Sequence, residues 1–291
     1  VTVWDWSKNK KLNRFCNSNP VNTKITEAKF LNEDDTPLLL TGSSEGIVRI
    51  YKRYESNESI ELTCAWRALT DLLPAQKNSG LIADWQQSRG NLLVGGDVRV
   101  IRVWDAPREL CVNDIPARSG SPVTSLTSDQ VAGNIIIAGF GDGAVRVYDR
   151  RLNQYSSMVK SWKTHQSWVL NARMQRGGAR ELVTGSVDGT VCLWDIRLDK
   201  PIDHYQAHVN GMSAIDVHEH APIIATGASN VNLWSTLGTS VSSIKTSGSY
   251  MLGPTRTSHV SDLSFHPHRM LLAVNNKFDA HIGIFKCDSH Y

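Results

Sequence analysis

Three sets of residues in this 291-residue chain have types and spacings that could support chemistry. His165, Thr184 and Asp188 offer an imidazole, a hydroxyl and a carboxylate, the parts of a hydrolytic triad. Yet each falls inside a strand-like run or a tight turn, and similar positions return with a tryptophan at His208, Thr226 and Trp234. Recurrence with an indole marks a structural pattern, so no catalytic residue is expected. His218, His220, His266 and His268 invite a metal reading, but no third or fourth ligand follows at metal spacing. The glycines of TGSSEG (41–46) and GFGDG (139–143) lack a phosphate-loop lysine, and each precedes a strand where a helix is needed. They read as hairpin turns. No metal, cofactor or enzymatic activity is expected.

What must position these residues is a repeat. A short apolar strand, a Gly/Ser-rich turn and an alternating strand ending in an aromatic recur as VTVWD (1–5), LLLTGSSEGIVRIY (38–51), LLVGGDVRVIRVWD (92–105), IIIAGFGDGAVRVYD (135–149), LVTGSVDGTVCLWD (182–195), IIATGASNVNLW (223–234) and LLAVNNKFDAHIGIF (271–285). The aromatic anchors Trp4, Tyr51, Trp104, Tyr148, Trp194, Trp234 and Phe285 stand 40 to 53 residues apart, near the period of WD40 repeats. Period-two alternation and the turns Glu45-Gly46, Asp142-Gly143 and Asp188-Gly189 predict antiparallel hairpins. Further strands upstream (ITEAKF, VTSLTS, WVLNARM, MSAIDVH, VSDLSFH) and downstream (LTCAW, SSMVKSW, IDHYQAH, SSIKT) complete four-stranded units. Four strands per unit make the blade of a β-propeller.

The predicted fold is therefore all-β, a single WD40 propeller domain over residues 1–291. It comprises a partial blade at 1–19 and blades at about 20–70, 80–117, 118–164, 165–207, 208–250 and 256–287. The first unit supplies only third and fourth strands, and the chain opens without Met, so a fragment of a longer protein is expected, with seven blades when intact. A six-bladed ring would leave one strand redundant. His165, Thr184, Asp188 and Trp194 match the structural tetrad of WD40 repeats, in which indole meets hydroxyl, hydroxyl meets imidazole and imidazole meets Asp. His208, Thr226 and Trp234 form a partial tetrad, since the short turn ASNV (228–231) holds no Asp.

Composition narrows the function. Lys+Arg 31 against Asp+Glu 28 gives a formal charge of +3, which announces no nucleic-acid or acidic-lipid surface. No run reaches the length of a membrane-spanning helix. The five cysteines (Cys16, Cys64, Cys111, Cys192, Cys287) form no CxxC pair and read as buried, reduced thiols of the cytosol or nucleus. A propeller presents recognition residues on its loops. Trp168 is the leading rim candidate, with Ser167, Arg99 and Phe140 beside it, and Arg150-Arg151 reads as a solvated outer loop.

Several segments go beyond generic WD40 sequence: VTVWDW (1–6), AWRALTDLLP (65–74), GLIADW (80–85), GDVRVIRVWD (96–105), IPARSGSPVTSL (115–126), AGFGDGAVRVYDRR (138–151) and FHPH (265–268). In this order they resemble the C-terminal WD40 domain of the raptor family, the regulatory-associated proteins of the target-of-rapamycin kinase. The short turn at 228–231 and the MLGP stretch at 251–254, where a longer loop is expected, depart from that pattern. The resemblance implies a non-enzymatic scaffold of the kinase complex in nutrient-responsive growth signalling. Its implied partners are the complex's subunits, the rest of a raptor-like chain and small-GTPase-linked lysosomal or vacuolar factors. Its implied location is cytoplasmic, with recruitment to the lysosomal or vacuolar membrane through partners. The rival reading is a WD40 peptide- or nucleic-acid-binding module of another regulatory complex.

Overall fold

A computed structural model describes residues 1–17, 23–32, 35–72, 79–175, 181–245, 259–277 and 281–286. Among them stand six antiparallel sheets of three or four strands and one two-stranded sheet, a β-propeller architecture. The chain separates into two compact units, Val1–Asn134 with Arg150–Ser157, and Ile135–Asp149 with Met158–Tyr291.

In the first unit, β1 (Thr2–Asp5) pairs with β2 (Lys10–Arg14). A four-stranded sheet follows, made of β3 (Ile25–Leu31), β4 (Leu38–Ser43), β5 (Ile47–Lys52) and β6 (Glu61–Arg67). The next contains β7 (Leu81–Gln86), β8 (Asn91–Gly96), β9 (Val100–Asp105) and β10 (Leu110–Pro116). Sequence periodicity had marked neither β7 nor β10, because GLIADW and LCVNDIP alternate weakly. The strand β11 (Val123–Ser128) completes the unit, with the Val123 side chain 3.3 Å from where a Cβ on Gly95 would stand.

The second unit holds β12 (Ile135–Phe140), β13 (Ala144–Asp149) and β14 (Met158–Lys163), paired in antiparallel succession. Two complete blades follow: β15 (Val169–Met174), β16 (Glu181–Ser186), β17 (Thr190–Asp195) and β18 (Asp203–Gln206), then β19 (Ala214–Val217), β20 (Ile223–Gly227), β21 (Val231–Ser235) and β22 (Ser240–Ile244). The last sheet comprises β23 (Val260–Phe265), β24 (Leu271–Asn276) and β25 (Ile282–Lys286).

Second and third strands are apolar on both faces because sheets cover them from both sides. Thus Leu182, Cys192 and Trp194 of one blade join Ile137, Val147 and Trp162 of another in one small core. Val183, Val191 and Leu193, pointing the opposite way, join Met212, Ile215 and Ile224 in the next. Burial is spread over such cores in series. First strands are tied by polar side chains as well: Asn171 Nδ2 donates to the Ile215 carbonyl at 3.1 Å, and Asp216 Oδ2 accepts from the Phe265 amide at 2.7 Å.

The Asp188-Gly189 turn shows why glycine is required. Gly189 has φ +86°, and a Cβ there would lie 2.0 Å from the His208 carbonyl oxygen. Its own carbonyl accepts from the Ala207 and His208 amides at 2.9 and 3.3 Å, fastening the end of β18 beneath the turn. The Gly46 carbonyl does the same for Ala68 and Leu69 in the first unit, at 2.8 and 3.1 Å.

The cysteine reading needs correction. Cys192 is 1% exposed, and burial pushes its thiol pKa up to about 12, but Cys16 and Cys111 are exposed and Cys64 is half-buried. Cys16 lies beyond the end of β2, outside any strand, and Cys111 sits on β10, the edge strand of its sheet. Cys287 and the 251–254 stretch lie outside the described residues.

Candidate functional site

In the blade β15–β18 the polar side chains form one ordered chain of hydrogen bonds. Trp194 Nε1 donates to Thr184 Oγ1 at 2.8 Å, and Thr184 Oγ1 lies 2.8 Å from His165 Nε2. On the other side of the ring, His165 Nδ1 lies 2.7 Å from Thr190 Oγ1, whose hydroxyl donates to Asp188 Oδ1 at 2.5 Å. These bonds assign every proton. Since the Thr190 hydroxyl gives its hydrogen to the carboxylate, it accepts from Nδ1–H, which leaves Nε2 free to accept from Thr184. The imidazole is therefore neutral, in agreement with a pKa held below the ordinary histidine value by burial, against the weaker pull of Asp188. Sequence reasoning expected the imidazole to meet Asp188 directly. Thr190 stands between them instead, and Asp188 spends its other oxygen on the Gln166 amide at 2.7 Å.

This network leaves no nucleophile. The Thr184 hydroxyl is fully buried and bonded on both sides, so no substrate reaches it. For Asp188, burial raises the pKa, but the Thr190 and Gln166 hydrogen bonds outweigh it and keep the carboxylate ionised.

The next blade keeps half the arrangement. His208 Nε2 and Trp234 Nε1 both meet Thr226 Oγ1 at 3.0 Å. Asn230 occupies the turn and donates to Asn232 Oδ1 at 2.8 Å. In the first unit, Thr41 and Tyr51 share the same register, and both donate to Asn17 Oδ1, at 3.1 and 2.5 Å. Asn17 fills the imidazole's place there, a substitution that sequence reading missed because only histidine was sought. The β8–β9 hairpin lacks the hydroxyl altogether: Val94 takes Thr184's register, and the buried Trp104 Nε1 has no partner.

Among the rim candidates, Trp168 is 40% exposed and Ser167 half-buried. The Val187 amide donates to the Trp168 carbonyl at 2.9 Å, and the Val187 carbonyl accepts from Met212 at 3.0 Å. Backbone pairing thus sets Val187, 40% exposed, between Trp168 and the loop carrying Val209, 88% exposed. Three exposed apolar residues thus lie on neighbouring backbone segments, of which sequence reading found only the tryptophan. Arg99 is exposed in the β8–β9 turn of the first unit. Phe140 is a correction: it is 0% exposed, with the Arg146 guanidinium 4.5 Å from its ring centre, because its alternation points it into the sheet packing. Arg150 is another: it is half-buried and donates to Gln86 Oε1 at 2.9 Å, so it is no solvated arm.

Two of the four histidines have a ring nitrogen engaged in closing a local turn. His218 Nδ1 accepts from the His220 and Ala221 amides at 3.1 and 2.9 Å, and His266 Nδ1 accepts from the His268 amide at 3.1 Å. Among the described residues no group of three or more His, Cys, Asp or Glu is arranged to hold a metal ion.

A family model described as WD domain, G-beta repeat matches residues 156–195, the stretch that contains the complete network. Along 99% of its length the chain is 43% identical to target of rapamycin complex 1 subunit KOG1 of Saccharomyces cerevisiae and 44% identical to target of rapamycin complex 1 subunit mip1 of Schizosaccharomyces pombe. It covers 20% and 22% of those proteins, about a fifth of their length. Chaetomium thermophilum raptor, a crystal structure, superposes with a TM-score of 0.91 at 45% identity, over 99% of this chain and 26% of the other.

Proposed function

We propose, from the premise that this chain matches the raptor WD40 domain along 99% of its length, that it acts as a non-enzymatic scaffold domain within a target of rapamycin complex 1. The observation that carries this reading is the 43% and 44% identity to two proteins named as subunits of that complex. The geometry supports the same role. Residues 1–291 are read as one propeller domain in which His165, Thr184, Asp188 and Trp194, and in part His208, Thr226 and Trp234, serve to lock blades. With these polar groups spent internally, the surface at Trp168, Val187 and Val209 is left for a partner, an indole flanked by apolar side chains being a favoured anchor. Ser167 and Arg99 are secondary contact candidates.

The occupants of that surface, in this reading, are other subunits of the kinase complex, the rest of a raptor-like chain or GTPase-linked factors at the lysosomal or vacuolar membrane. The domain would act in the cytoplasm and reach that membrane through partners, without direct nucleic-acid contact. The test uses the full-length protein in its native complex. Trp168→Ala combined with Val187→Asp should preserve the melting temperature but weaken co-purification of complex subunits by about tenfold or more. Undiminished co-purification rejects this surface. Deletion of the whole domain with assembly and signalling intact rejects the scaffold role.

A further inference from the structure

Two arginines of the first unit meet on one loop without an acid to pair them. Arg89 ends the short turn between β7 and β8, and Arg150 directly follows β13. Arg89 Nη2 donates to the Ala132 carbonyl at 2.5 Å and to Asn134 Oδ1 at 3.0 Å. Arg150 Nη1 donates to the Gly133 carbonyl at 3.3 Å and to Gln86 Oε1 at 2.9 Å, and its amide donates to the Asn134 carbonyl at 2.9 Å. Gly133 makes room for this arrangement: its φ is +63°, and a Cβ there would lie 2.8 Å from Arg89 Nε. Residues 132–134 thus hold both guanidiniums.

These two charges are left uncompensated. Neither Arg89 nor Arg150 enters an ion pair among the described residues. The loop's own acid, Asp129, accepts from the Val131 amide at 2.9 Å and the Ala132 amide at 3.2 Å, so it closes the loop itself. Arg150 is half-buried, and burial together with the Arg89 charge holds its pKa below the ordinary arginine value. Like charges side by side, one of them partly out of water, are costly unless an anion joins them. Arg89 is exposed, which opens the pair to solvent.

We infer that this arginine pair binds a phosphorylated side chain of a partner peptide. A phosphomonoester brings nearly two negative charges and three acceptor oxygens, which two forked guanidiniums match. A carboxylate has one charge and would leave one arginine uncompensated. Two cations are too few for a nucleic-acid backbone, which needs a stripe of them. Exposed apolar residues stand on both segments, Val131 at 80% beside Ala132 and Leu152 at 44% two residues past Arg150, and they suit the neighbouring side chains of a peptide. The site shares no residue with the surface at Trp168 and does not depend on it.

The experiment measures fluorescence anisotropy of degenerate peptide pools with a central phosphoserine, titrated with the full-length protein, against matched pools carrying serine or glutamate. The variants are Arg89→Gln and Arg150→Gln, with Arg108→Gln, an exposed cation on another hairpin, as the control. Wild type should bind the phosphoserine pool about tenfold or more tightly than either matched pool, and Arg89→Gln should lose about tenfold or more of that affinity. Arg108→Gln should lose little, and binding should weaken with salt. Unchanged melting curves separate the loss from unfolding, and the exposed Arg89 carries the test where Arg150→Gln disturbs the fold. The inference fails if wild type does not prefer the phosphoserine pool, or if Arg89→Gln binds it equally. It also fails if ATP, inorganic phosphate or duplex DNA binds through the same arginines more tightly than the phosphopeptides do.

Discussion

Replacing Trp194 and Trp104 by phenylalanine tests the hydrogen-bond network with one substitution at one register in two blades. Each tryptophan lies on a third strand, two residues beyond the partner of the second-strand position held by Thr184 or Val94. Each also packs on a second indole, at 4.6 Å for Trp162 and Trp194 and 5.8 Å for Trp66 and Trp104. Both changes remove similar ring volume, a cost of about 1 kcal/mol for the space left behind. They differ in the indole N–H. Trp194→Phe deletes a buried bond to Thr184 and leaves that oxygen one donor short, adding about 1 to 3 kcal/mol. Trp104→Phe deletes a buried donor that has no partner, so it carries no such cost and relieves an existing one. The expected totals are about 2 to 4 kcal/mol for Trp194→Phe and about 1 kcal/mol or less for Trp104→Phe. Urea denaturation monitored by circular dichroism gives both midpoints. Equal losses at the two positions would show that ring packing alone sets the cost, and the network would have no energetic role.

Three further outcomes follow from the same geometry. Val94→Thr should give the Trp104 indole an acceptor and raise stability by about 0.5 to 1.5 kcal/mol, read as a higher melting temperature; a loss would mean that the valine's packing outweighs the missing bond. Gly189→Ala should cost more than about 2 kcal/mol, since it combines a left-handed backbone with a collision against the His208 carbonyl, and an unchanged urea midpoint would contradict the turn geometry. Burial lowers the pKa of His165 and His208 below the ordinary 6.5, so the unfolded chain takes up protons first. Stability should be full above about pH 6.5 and decline as pH falls below it, and His165→Asn should flatten part of that slope in melts taken across the range.

The blades were legible because their signals are local. An apolar second strand, a tight turn and an alternating third strand are decided by residues next to one another, and burial on both faces leaves little freedom in their choice. First and fourth strands such as β7 and β10 carry weaker patterns, since one side of each is less covered. The network was legible in its members but not in its wiring. Thr190 differs from any other small polar residue of the strand only by standing two residues after Asp188, and its hydroxyl reaches both the ring and the carboxylate solely because the turn folds it back. Asn17 was invisible for a related reason. It serves Thr41 and Tyr51 from 24 and 34 residues away, and an amide replaces an imidazole wherever one oxygen accepting two hydroxyls meets the need.

Phe140 shows how far reading a turn can mislead about a surface. It lies in GFGDG, a segment that by composition belongs to an exposed hairpin, yet its ring is fully buried because the strand extends to residue 140 before the chain reverses. Trp168 lies the same distance from its own turn and remains 40% exposed, since its neighbour Val169 takes the inward direction. One residue of register decides whether an aromatic supports the core or offers itself to a partner. Charge is subject to no such parity. Arg89 and Arg150 come from two separate turns and meet on residues 132–134, which no alternation records. Contact surfaces of this fold should therefore be sought by different signs: apolar ones by alternation at strand ends, electrostatic ones by where cations gather without a carboxylate.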